Sequence, residues 1–551
     1  MGFQQKYNDV DFDIDLFLDN SLNMSSGGDT AYAINPSSVL SFAIEDTLAS
    51  WITQATLIFM YLPDDSNTDT GQSKYGQKNA KYVAGSQDAE KLTSYQFRAD
   101  GFDILKFRGV PITKKAASGD NLEINSKDPK WTLTYLFSIY DVEDVGNLPG
   151  LTGPSSAYTK CLKLYLRDFR YQILQTTNLE YSTSLSSKAN FSSGLFNGNP
   201  QGTLKTGIAL NEVLNQALTD SSNGGDSIFA VSEDTEKWEE GSSEMFYTSP
   251  AQWSALDDVN YLYGHHVSTK QLGSGVYDIS LLHTKRSTEA GKICEMCLTP
   301  ISDFFENALD GDQAGEDQIE HFFVTSHTDL NAAGLATKQM APFSDNKDRD
   351  LKTFKYGQIV SYSFVDMSPN VNSLLYKSTP VYSVDPRARV FDVKFQNNTV
   401  ETSRELITNN YIEKLFKKGS GTDLFLPTLH QQKQKGNKNI FPTFSLNGEQ
   451  SELAEILRQK NGISQLLYTG LFQNTCICFS TFGLTHREPG KFIAIDHINQ
   501  PTESDYNIKL YGQWFIVKVV HSFETGAYMN LIYALKLHRF TSAQQKFANT
   551  I

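Results

Sequence analysis

The sequence has few cysteines, no long hydrophobic run and no excess of positive charge. An odd number of cysteines, five in 551 residues, does not suit a disulfide-bonded scaffold, so we expect a protein made in a reducing cytoplasm. No stretch approaches the ~18 consecutive apolar residues of a membrane-spanning helix, and the N-terminus lacks the apolar segment of a secretory signal. The formal net charge of −15 disfavours a nucleic-acid groove, which needs a concentrated positive field.

Recurrent catalytic motifs are also missing. The sequence contains no Gly-x-Ser-x-Gly elbow, no Walker loop and no dinucleotide-binding fingerprint, so it indicates neither a catalytic residue nor a cofactor. Paired carboxylates for glycoside hydrolysis stay open, because 63 acidic residues are present and their spacing in sequence does not give their spacing in space. We therefore expect a protein that is not an enzyme.

Four aspartates near the N-terminus alternate with apolar residues, as carboxylates do at the start of a calcium loop. They are Asp9, Asp11, Asp13 and Asp15. The glycine and the glutamate that such a loop needs at its sixth and twelfth positions are missing. We interpret the four aspartates as the solvated face of a strand.

Two cysteine pairs have spacings of interest for zinc. Cys294 and Cys297 resemble half of a zinc site, and Cys476 and Cys478 could supply the other half. Alternate residues of a strand point the same way, however, and the second pair lies on what the pattern predicts to be a core face. Buried reduced thiols without a metal are the favoured interpretation.

The histidines provide no clear set of metal ligands. His265 and His266 follow a predicted helix, with no carboxylate or further histidine at helical spacing, so we interpret them as an ordinary loop pair. His521 lies in an apolar strand, where a lone core histidine is usually held by hydrogen bonds.

The aromatic content favours a mainly β architecture. Aromatic residues make up 12% of the chain, with 35 Phe and 26 Tyr, and such side chains suit pleated, half-buried surfaces. Residues 1–181 predict a first β domain, with strand patterns at 9–16, 39–44, 56–61, 102–107, 131–140 and 162–169. A polar surface insertion at residues 64–90 interrupts it.

Residues 203–350 change to a helical period and predict an α+β domain. Apolar residues recur at helical spacing over 210–218, and strands are expected at 276–283 and 320–325. A second helix is expected to begin with Ser249 as N-cap and Pro250 in its first turn, and to end at Gly264.

Residues 351–445 return to strand patterns, at 359–366 and 390–396. This β segment ends in a polar loop, 417–438, which we interpret as solvated.

The C-terminal domain, residues 446–551, opens with a predicted helix at 449–467 and then has the clearest alternating pattern in the chain. Strands are predicted over 474–482, 491–498, 515–523 and 528–537. Pro489 and Gly490 predict a tight turn between the first two strands. The pattern indicates a compact antiparallel β unit that carries no evident catalytic group.

This order of elements resembles the last tube-forming barrel of the bacteriophage tail hub family, the central hub of the tail baseplate. In that family a Pro-Gly turn and a strand precede a strand that opens Gly-x-Trp/Tyr, runs through valines and often reaches a histidine. Residues 39–48 and 57–59 are similar to the family's opening strand, corner and return strand, and 206–218 and 249–263 to its small α/β insertion. The matching C-terminal positions are Pro489, Gly490, Gly512, Trp514, Val517, Val520 and His521.

The resemblance implies a fold of two tube-type antiparallel β-barrel domains with smaller α/β and β segments. It also implies a homotrimer whose barrels form a pseudo-sixfold ring that continues the tail tube, seats the spike protein and contacts baseplate wedge proteins. Such a protein would be a structural component of the virion tail, assembled in the cytoplasm of the bacterial host. During genome ejection DNA would pass through the ring without specific binding, which a negatively charged bore would suit.

Two alternatives stay open. One is a β-rich, tail-associated carbohydrate-active enzyme, which would need convergent carboxylates in a cleft. The other is a host-binding adhesin, against which the missing secretory signal and the cysteine usage argue.

The chain is also longer than the family pattern, with extra segments at 64–90, 310–346 and 417–438.

Overall fold

The computed structural model of the chain describes its residues in separate stretches. The predicted helix at 449–467 and the polar loop at 417–438 lie outside them, as does the insertion at 64–90 except for residues 81 and 82. None of the helices in the described stretches combines the length and the apolar character of a transmembrane segment. The described residues are 10–17, 31–34, 39–48, 50–61, 81–82, 103–111, 132–145, 160–178, 204–219, 228–241, 244–245, 252–270, 278–287, 292–301, 303–304, 320–324, 357–366, 379–385, 390–396, 441–444, 475–496, 510, 512–524 and 527–536.

Strands dominate the N-terminal part of the chain, where alternating apolar residues favour extended backbone. They are β1 (Val10–Phe17), β2 (Ala31–Ile34), β3 (Val39–Thr47), β4 (Gln54–Tyr61), β5 (Lys81–Tyr82), β6 (Ile104–Pro111), β7 (Leu133–Val145) and β8 (Lys160–Asp168), and the helix α1 (Phe169–Thr176) follows.

The middle of the chain mixes helices with short strands, as the change of period predicts. Its elements are β9 (Leu204–Lys205), α2 (Thr206–Thr219), β10 (Phe229–Val231), β11 (Glu244–Met245), α3 (Ala255–Gly264), β12 (Ser280–Arg286), β13 (Cys294–Pro300) and β14 (Glu320–Val324).

The remaining described elements are all strands, so the mainly β composition that the sequence predicts is confirmed. They are β15 (Gln358–Asp366), β16 (Thr379–Asp385), β17 (Val390–Gln396), β18 (Phe441–Phe444), β19 (Thr475–Phe482), β20 (Phe492–Asp496), β21 (Gly512–Glu524) and β22 (Ala527–Lys536).

Fourteen of the described strands form one large sheet. Its order is β20-β14-β15-β19-β22-β21-β3-β4-β8-β7-β6-β1-β2-β5, and β20 also pairs with β21. The antiparallel pairing of β21 with β3, from Lys518↔Thr47 to Glu524↔Ser41, joins the C-terminal strands to the N-terminal ones. The segments that the sequence assigns to two barrels therefore share one continuous sheet.

The N-terminal strands curl into a largely antiparallel half-barrel around an aromatic core. The ring centroids of Phe12 in β1 and Phe523 in β21 lie 5.3 Å apart, although five strands separate β1 from β21 in the sheet order. Phe42 and Phe107 pack beside them, with centroids 4.9 Å apart. Contact between strands so far apart in the order requires strong curvature of the sheet.

The six strands at the other end of the order close into a ring, because β20 pairs with both β14 and β21. Phe322, Phe479 and Trp514 are fully buried inside it. Strand β14 runs parallel to β15 and β20. The C-terminal strands are thus completed by β14 and β15, which come from residues 203–350 and 351–445.

A small α+β unit packs on the outside of the half-barrel. Its mixed sheet has the order β10-β13-β12, and its helices share one apolar cluster with Trp51 and Leu136 of the N-terminal part. Because Trp51 belongs to this cluster, the unit lies against the corner between β3 and β4.

Two further small sheets have the orders β11-β9 and β17-β16-β18.

The predicted start of α3 is wrong in position. The helix begins at Ala255, because Ser254 forms a capping box with Asp257. The Ser254 hydroxyl accepts a hydrogen bond from the Asp257 amide at 3.3 Å, and the Asp257 carboxylate accepts one from the Ser254 amide at 3.0 Å. This pair satisfies two backbone donors at the helix end, and Ser249 lies outside the described residues.

Candidate functional site

A group of buried and half-buried polar side chains lies where the half-barrel, the closed ring and the α+β unit meet. Its members come from strands and loops far apart in sequence. We call this group the polar junction, and it consists of Asp46 (β3), Tyr135 (β7), Arg286 (β12), Glu320 (β14), Arg487 (the loop at residues 483–491), His521 (β21), and Tyr528 and Asn530 (β22).

Arg487 is the centre of the junction and only 1% exposed. Its Nε lies 3.0 and 3.2 Å from the two carboxylate oxygens of Glu320, and its Nη2 lies 2.6 Å from Oε1. Its Nη1 donates to the Phe482 carbonyl at 2.6 Å and to Asn530 Oδ1 at 2.9 Å. Desolvation offsets much of the attraction in such a pair, so its main effect is to fix geometry. Arg487 ties the loop to β14 and β22.

Arg286 brings the α+β unit into the junction. Its guanidinium donates to the carbonyl of Thr485 and, at 3.1 Å, to the carbonyl of Arg487. On the same strand, the Thr284 hydroxyl donates to the Trp51 carbonyl at 3.3 Å. Strand β12 therefore contacts both the C-terminal loop and the corner after β3.

Asp46 holds the N-terminal side of the junction. Its carboxylate accepts a hydrogen bond from the Tyr135 hydroxyl and another, at 3.0 Å, from Thr53 Oγ1. Burial raises the pKa of Asp46, and the hydrogen bonds from Tyr135 and Thr53 oppose that rise. A cavity of about 60 Å³ lies beside it. Acidic and basic side chains balance in its lining: Asp46, Asp168 and Glu488 against Arg170, Lys285 and Arg286.

His521 is fully buried between β22 and β3. Its Nδ1 lies 2.8 Å from the Tyr528 hydroxyl and 3.0 Å from Asn530 Nδ2. Asn530 Oδ1 accepts from the Leu484 amide at 2.7 Å and from Arg487, which turns Nδ2 towards the histidine. Nδ1 is therefore an acceptor, and the proton of the neutral imidazole lies on Nε2. Burial, reinforced by the nearby guanidinium groups, lowers the pKa of His521 well below its usual range.

Pro489 and Gly490 form the turn that the sequence predicts between β19 and β20. Gly490 has a φ of +88°, its amide donates to the Ile516 carbonyl at 2.9 Å, and a Cβ there would lie 2.9 Å from the Phe304 ring. The backbone conformation and the close ring both favour glycine.

Strand β21 carries the other five positions of the family pattern. Gly512 and Trp514 lie in its first part, which pairs with β20. Val520 and His521 lie in its second part, which pairs with β3 and β22. Between them, Val517 is half-buried at a bulge in the pairing of β21 with β22. Its carbonyl accepts a hydrogen bond from the Leu48 amide, just after β3, at 2.8 Å. The strand links the ring to the half-barrel.

The described residues contain no group of three or more His, Cys, Asp or Glu side chains able to hold a metal ion. Cys294 and Cys297 are buried, whereas Cys476 and Cys478 are half-buried. The prediction that the second pair lies on a core face is wrong, because the core side of β19 carries the fully buried Ile477. A period-two pattern gives the two faces of a strand but not which one is covered.

The interpretation of the N-terminal aspartates as a solvated face is wrong for Asp15. This side chain is 8% exposed, and Asp13 is half-buried. Asp15 lies opposite Lys106 in the register of β1 and β6. Burial raises the pKa of Asp15, and the charge of Lys106 opposes that rise.

His266 is part of a buried network and is not an ordinary loop histidine. Its Nδ1 lies 3.1 Å from Thr206 Oγ1, and its Nε2 lies 3.2 Å from Ser280 Oγ and 3.5 Å from Glu239 Oε2. Burial would raise the pKa of Glu239, but hydrogen bonds from His266, Ser280 and Ser268 outweigh it and lower the pKa to about 2. The Ser, His and Glu of a hydrolase are present here, but each is at most 8% exposed, so the network is enclosed.

Sequence reasoning missed the charged residues of the junction. One signal was available for Glu320, which opens a strand whose last three residues are apolar. Arg487 and Arg286 carry no such signal, because a buried arginine next to a turn or at a strand end has the same local sequence as an exposed one. Their partners lie 167 and about 200 residues away.

Comparisons with known proteins give matches among solved structures alone: no protein-family model matches, and no curated protein matches. A 43 kDa tail protein from prophage MuSo2 of Shewanella oneidensis is 8% identical, with a TM-score of 0.37 and coverage of 95% of this chain and 98% of that one. A tail protein from Neisseria meningitidis MC58 is 8% identical, with a TM-score of 0.41 and coverage of 95% and 96%.

A third match is an E. coli component of the type VI secretion system, described as structurally similar to the T4 bacteriophage tail proteins gp27 and gp5. It is 7% identical, with a TM-score of 0.32 and coverage of 92% of this chain and 74% of that one. At TM-scores below 0.5 and such low identities, the matches indicate a similar overall course of the backbone. They assign neither an activity nor a binding partner to this chain. The chain is similar in structure to phage tail proteins over nearly its full length.

Proposed function

We propose that the chain is a structural, non-enzymatic protein of a bacteriophage virion, the central hub of the tail baseplate that joins the tail tube to the spike. The observation that supports this most is the strand pairing. Strands β20 and β21, which carry the family's C-terminal pattern, pair antiparallel within one closed ring. Strand β21 continues into the half-barrel that holds the family's N-terminal pattern.

In this proposal the half-barrel of residues 1–181 and the ring of residues 446–551 are the two tube-type barrel domains. The ring borrows β14 from the α+β insertion at 203–350 and β15 from the β segment at 351–445. Shared strands would keep the two barrels at a fixed spacing. A fixed spacing is what a subunit needs in order to supply two neighbouring positions of a sixfold tube.

Three chains would then form a pseudo-sixfold ring on the tail tube protein and hold the spike protein below and the wedge proteins outside. Closure of the ring protects strand edges from open-ended pairing. A negatively charged bore, in keeping with the net charge of −15, would let DNA pass without adsorbing during genome ejection. The assembly would form in the host cytoplasm and work in the virion tail.

Light scattering on the purified full chain, combined with electron microscopy, tests the proposal. We expect a mass three times the 61.7 kDa of one chain and ring-shaped particles. A strictly monomeric chain across micromolar concentrations, with no rings and no association with tube or spike proteins, would overturn it. Release of reducing sugar from host glycans by the pure protein would favour the carbohydrate-active alternative instead.

A further inference from the structure

The hydrogen bonds of His521 disfavour a second ring proton, which would have to lie on Nδ1. Its Nδ1 faces Asn530 Nδ2 at 3.0 Å, and an amide nitrogen can only donate. A proton on Nδ1 would place two donors against each other. Of the two described partners of Nδ1, the Tyr528 hydroxyl, 2.8 Å away, could turn to accept, but it cannot replace the Asn530 contact.

The charges around His521 also oppose its protonation. Arg286 from β12 and Arg487 from the loop bring positive charge towards it, as does a protonated His486 from the same loop. Two contacts act in the other direction: a hydrogen bond with the backbone of Arg487 raises the pKa of His521, and Asp46 on β3, which already accepts from Tyr135, has its Oδ2 4.0 Å from Nε2. The ring itself is fully buried.

Asn530 transmits any change at His521 to the loop. The same amide that donates to His521 accepts from the Leu484 amide at 2.7 Å and from Arg487 at 2.9 Å. If Nδ2 has to move away from a protonated ring, both of these bonds move with it. The loop leads directly into Gly490, whose amide bonds to β21.

We propose that His521 and Asn530 form an acid-sensitive latch: protonation of His521 at Nδ1 breaks its bond to Asn530, frees the loop at residues 484–490 and opens the seam between β20 and β21. The latch is a property of one chain and does not depend on the proposed hub function.

The direction of the pH effect follows from linkage. His521 has a lowered pKa in the folded state, so the stability it contributes is present above about pH 6.5 and is lost as pH falls towards that lower value. Neighbouring His486 also has a lowered pKa, through burial first and Arg487 next, and acts in the same direction. Asp46 has a raised pKa and acts in the opposite direction as pH falls from that raised value towards about 3.9. The effect of the histidines should therefore begin as pH falls below about 6.5.

Hydrogen exchange measured by mass spectrometry on the full chain tests the latch. After correction for intrinsic exchange, the opening constant of peptides covering residues 484–492 should rise by up to about tenfold per pH unit below 6.5 for each histidine involved. Peptides from α3 should show no such rise over the same range. A flat opening constant for residues 484–492 would overturn the proposal.

Two variants separate His521 from the other groups. His521→Gln keeps an acceptor that does not titrate, so the pH slope should fall by about one proton, or tenfold per pH unit. Asn530→Asp keeps the acceptor for Leu484 and Arg487 and offers His521 an anionic acceptor, so acid should tighten the seam instead of opening it. His265→Gln is the control, and its slope should equal that of the wild type.

An unchanged slope in His521→Gln, or an unchanged sign in Asn530→Asp, would contradict the latch. If His521→Gln does not fold, exchange at the imidazole C2 position of the wild type decides the matter. In that measurement the titration of His521 must coincide with the opening of residues 484–492, and titration near 6.5 without opening would also overturn the proposal.

Discussion

Replacing Arg487 by methionine tests whether the polar junction holds the parts of the sheet together. The substitution keeps much of the apolar stem and removes a guanidinium with three contacts of 2.6 to 3.2 Å to Glu320. The carboxylate, whose side chain is 8% exposed, then loses its main cation. A buried charge left without its partner costs about 3–5 kcal/mol. His486 lies 3.8 Å from Glu320, and the loss of Arg487 removes one of the charges that lower the pKa of His486, so this histidine takes up a proton more readily and we expect the lower end of that range.

The assay is urea unfolding of the full chain, followed by far-ultraviolet circular dichroism and by tryptophan fluorescence. We expect the free energy of unfolding to fall by about 3 kcal/mol in Arg487→Met. The control is Arg167→Met, which removes an arginine stacked between Tyr140 and Tyr171 at 4.5 and 4.4 Å. The loss of unfolding free energy in Arg167→Met should lie between about 1 and 2 kcal/mol.

The double variant Arg487→Met, Glu320→Leu gives the second half of the test. Replacing both members of a buried ion pair by apolar groups removes the unpaired charge, so the double variant should be more stable than Arg487→Met alone. A loss below about 1 kcal/mol in Arg487→Met, or no recovery in the double variant, would refute a central role for the pair.

Three further substitutions have definite expected outcomes, each measured as the change in unfolding free energy. Gly490→Ala should cost more than about 1 kcal/mol, because φ is +88° and a Cβ would meet Phe304 at 2.9 Å; no loss would show that the turn relaxes freely. Phe523→Ala should cost about 3–5 kcal/mol, because the ring packs against Tyr528 with centroids 4.4 Å apart; a loss below about 1 kcal/mol would contradict the shared aromatic core. Ser254→Ala should cost about 1 kcal/mol, because it removes the capping box of α3. Ser249→Ala should cost less. Equal losses in the two variants would instead support Ser249 as the N-cap, as the sequence predicts.

The alternating patterns predicted the positions of individual strands. Alternation placed β17 at Val390–Gln396 with its observed bounds, and β19 within one residue of Thr475–Phe482. Both depend on a period of two, which backbone geometry imposes locally. The burial of the two faces depends on the rest of the fold, and for that reason Cys476 and Asp15 were assigned to the wrong environments.

Long-range pairing could not be predicted from the same patterns. No local feature of Glu320 indicates that β14 inserts between β15 and β20, more than 30 residues from one and more than 150 from the other. The pairing of β21 with β3 likewise joins residues about 470 positions apart. The polar junction consists of such contacts, so the turn at Gly490 was predictable whereas the site that it closes was not.

A three-dimensional reconstruction by electron microscopy of the purified full chain tests the central claim most directly. The proposal predicts a closed ring of three chains, with six barrel-sized densities around a central channel and the half-barrel of each chain joined to its own ring of strands through β21. A reconstruction of single chains, or of an assembly in which the two barrels of one chain are not neighbours around a channel, would contradict it.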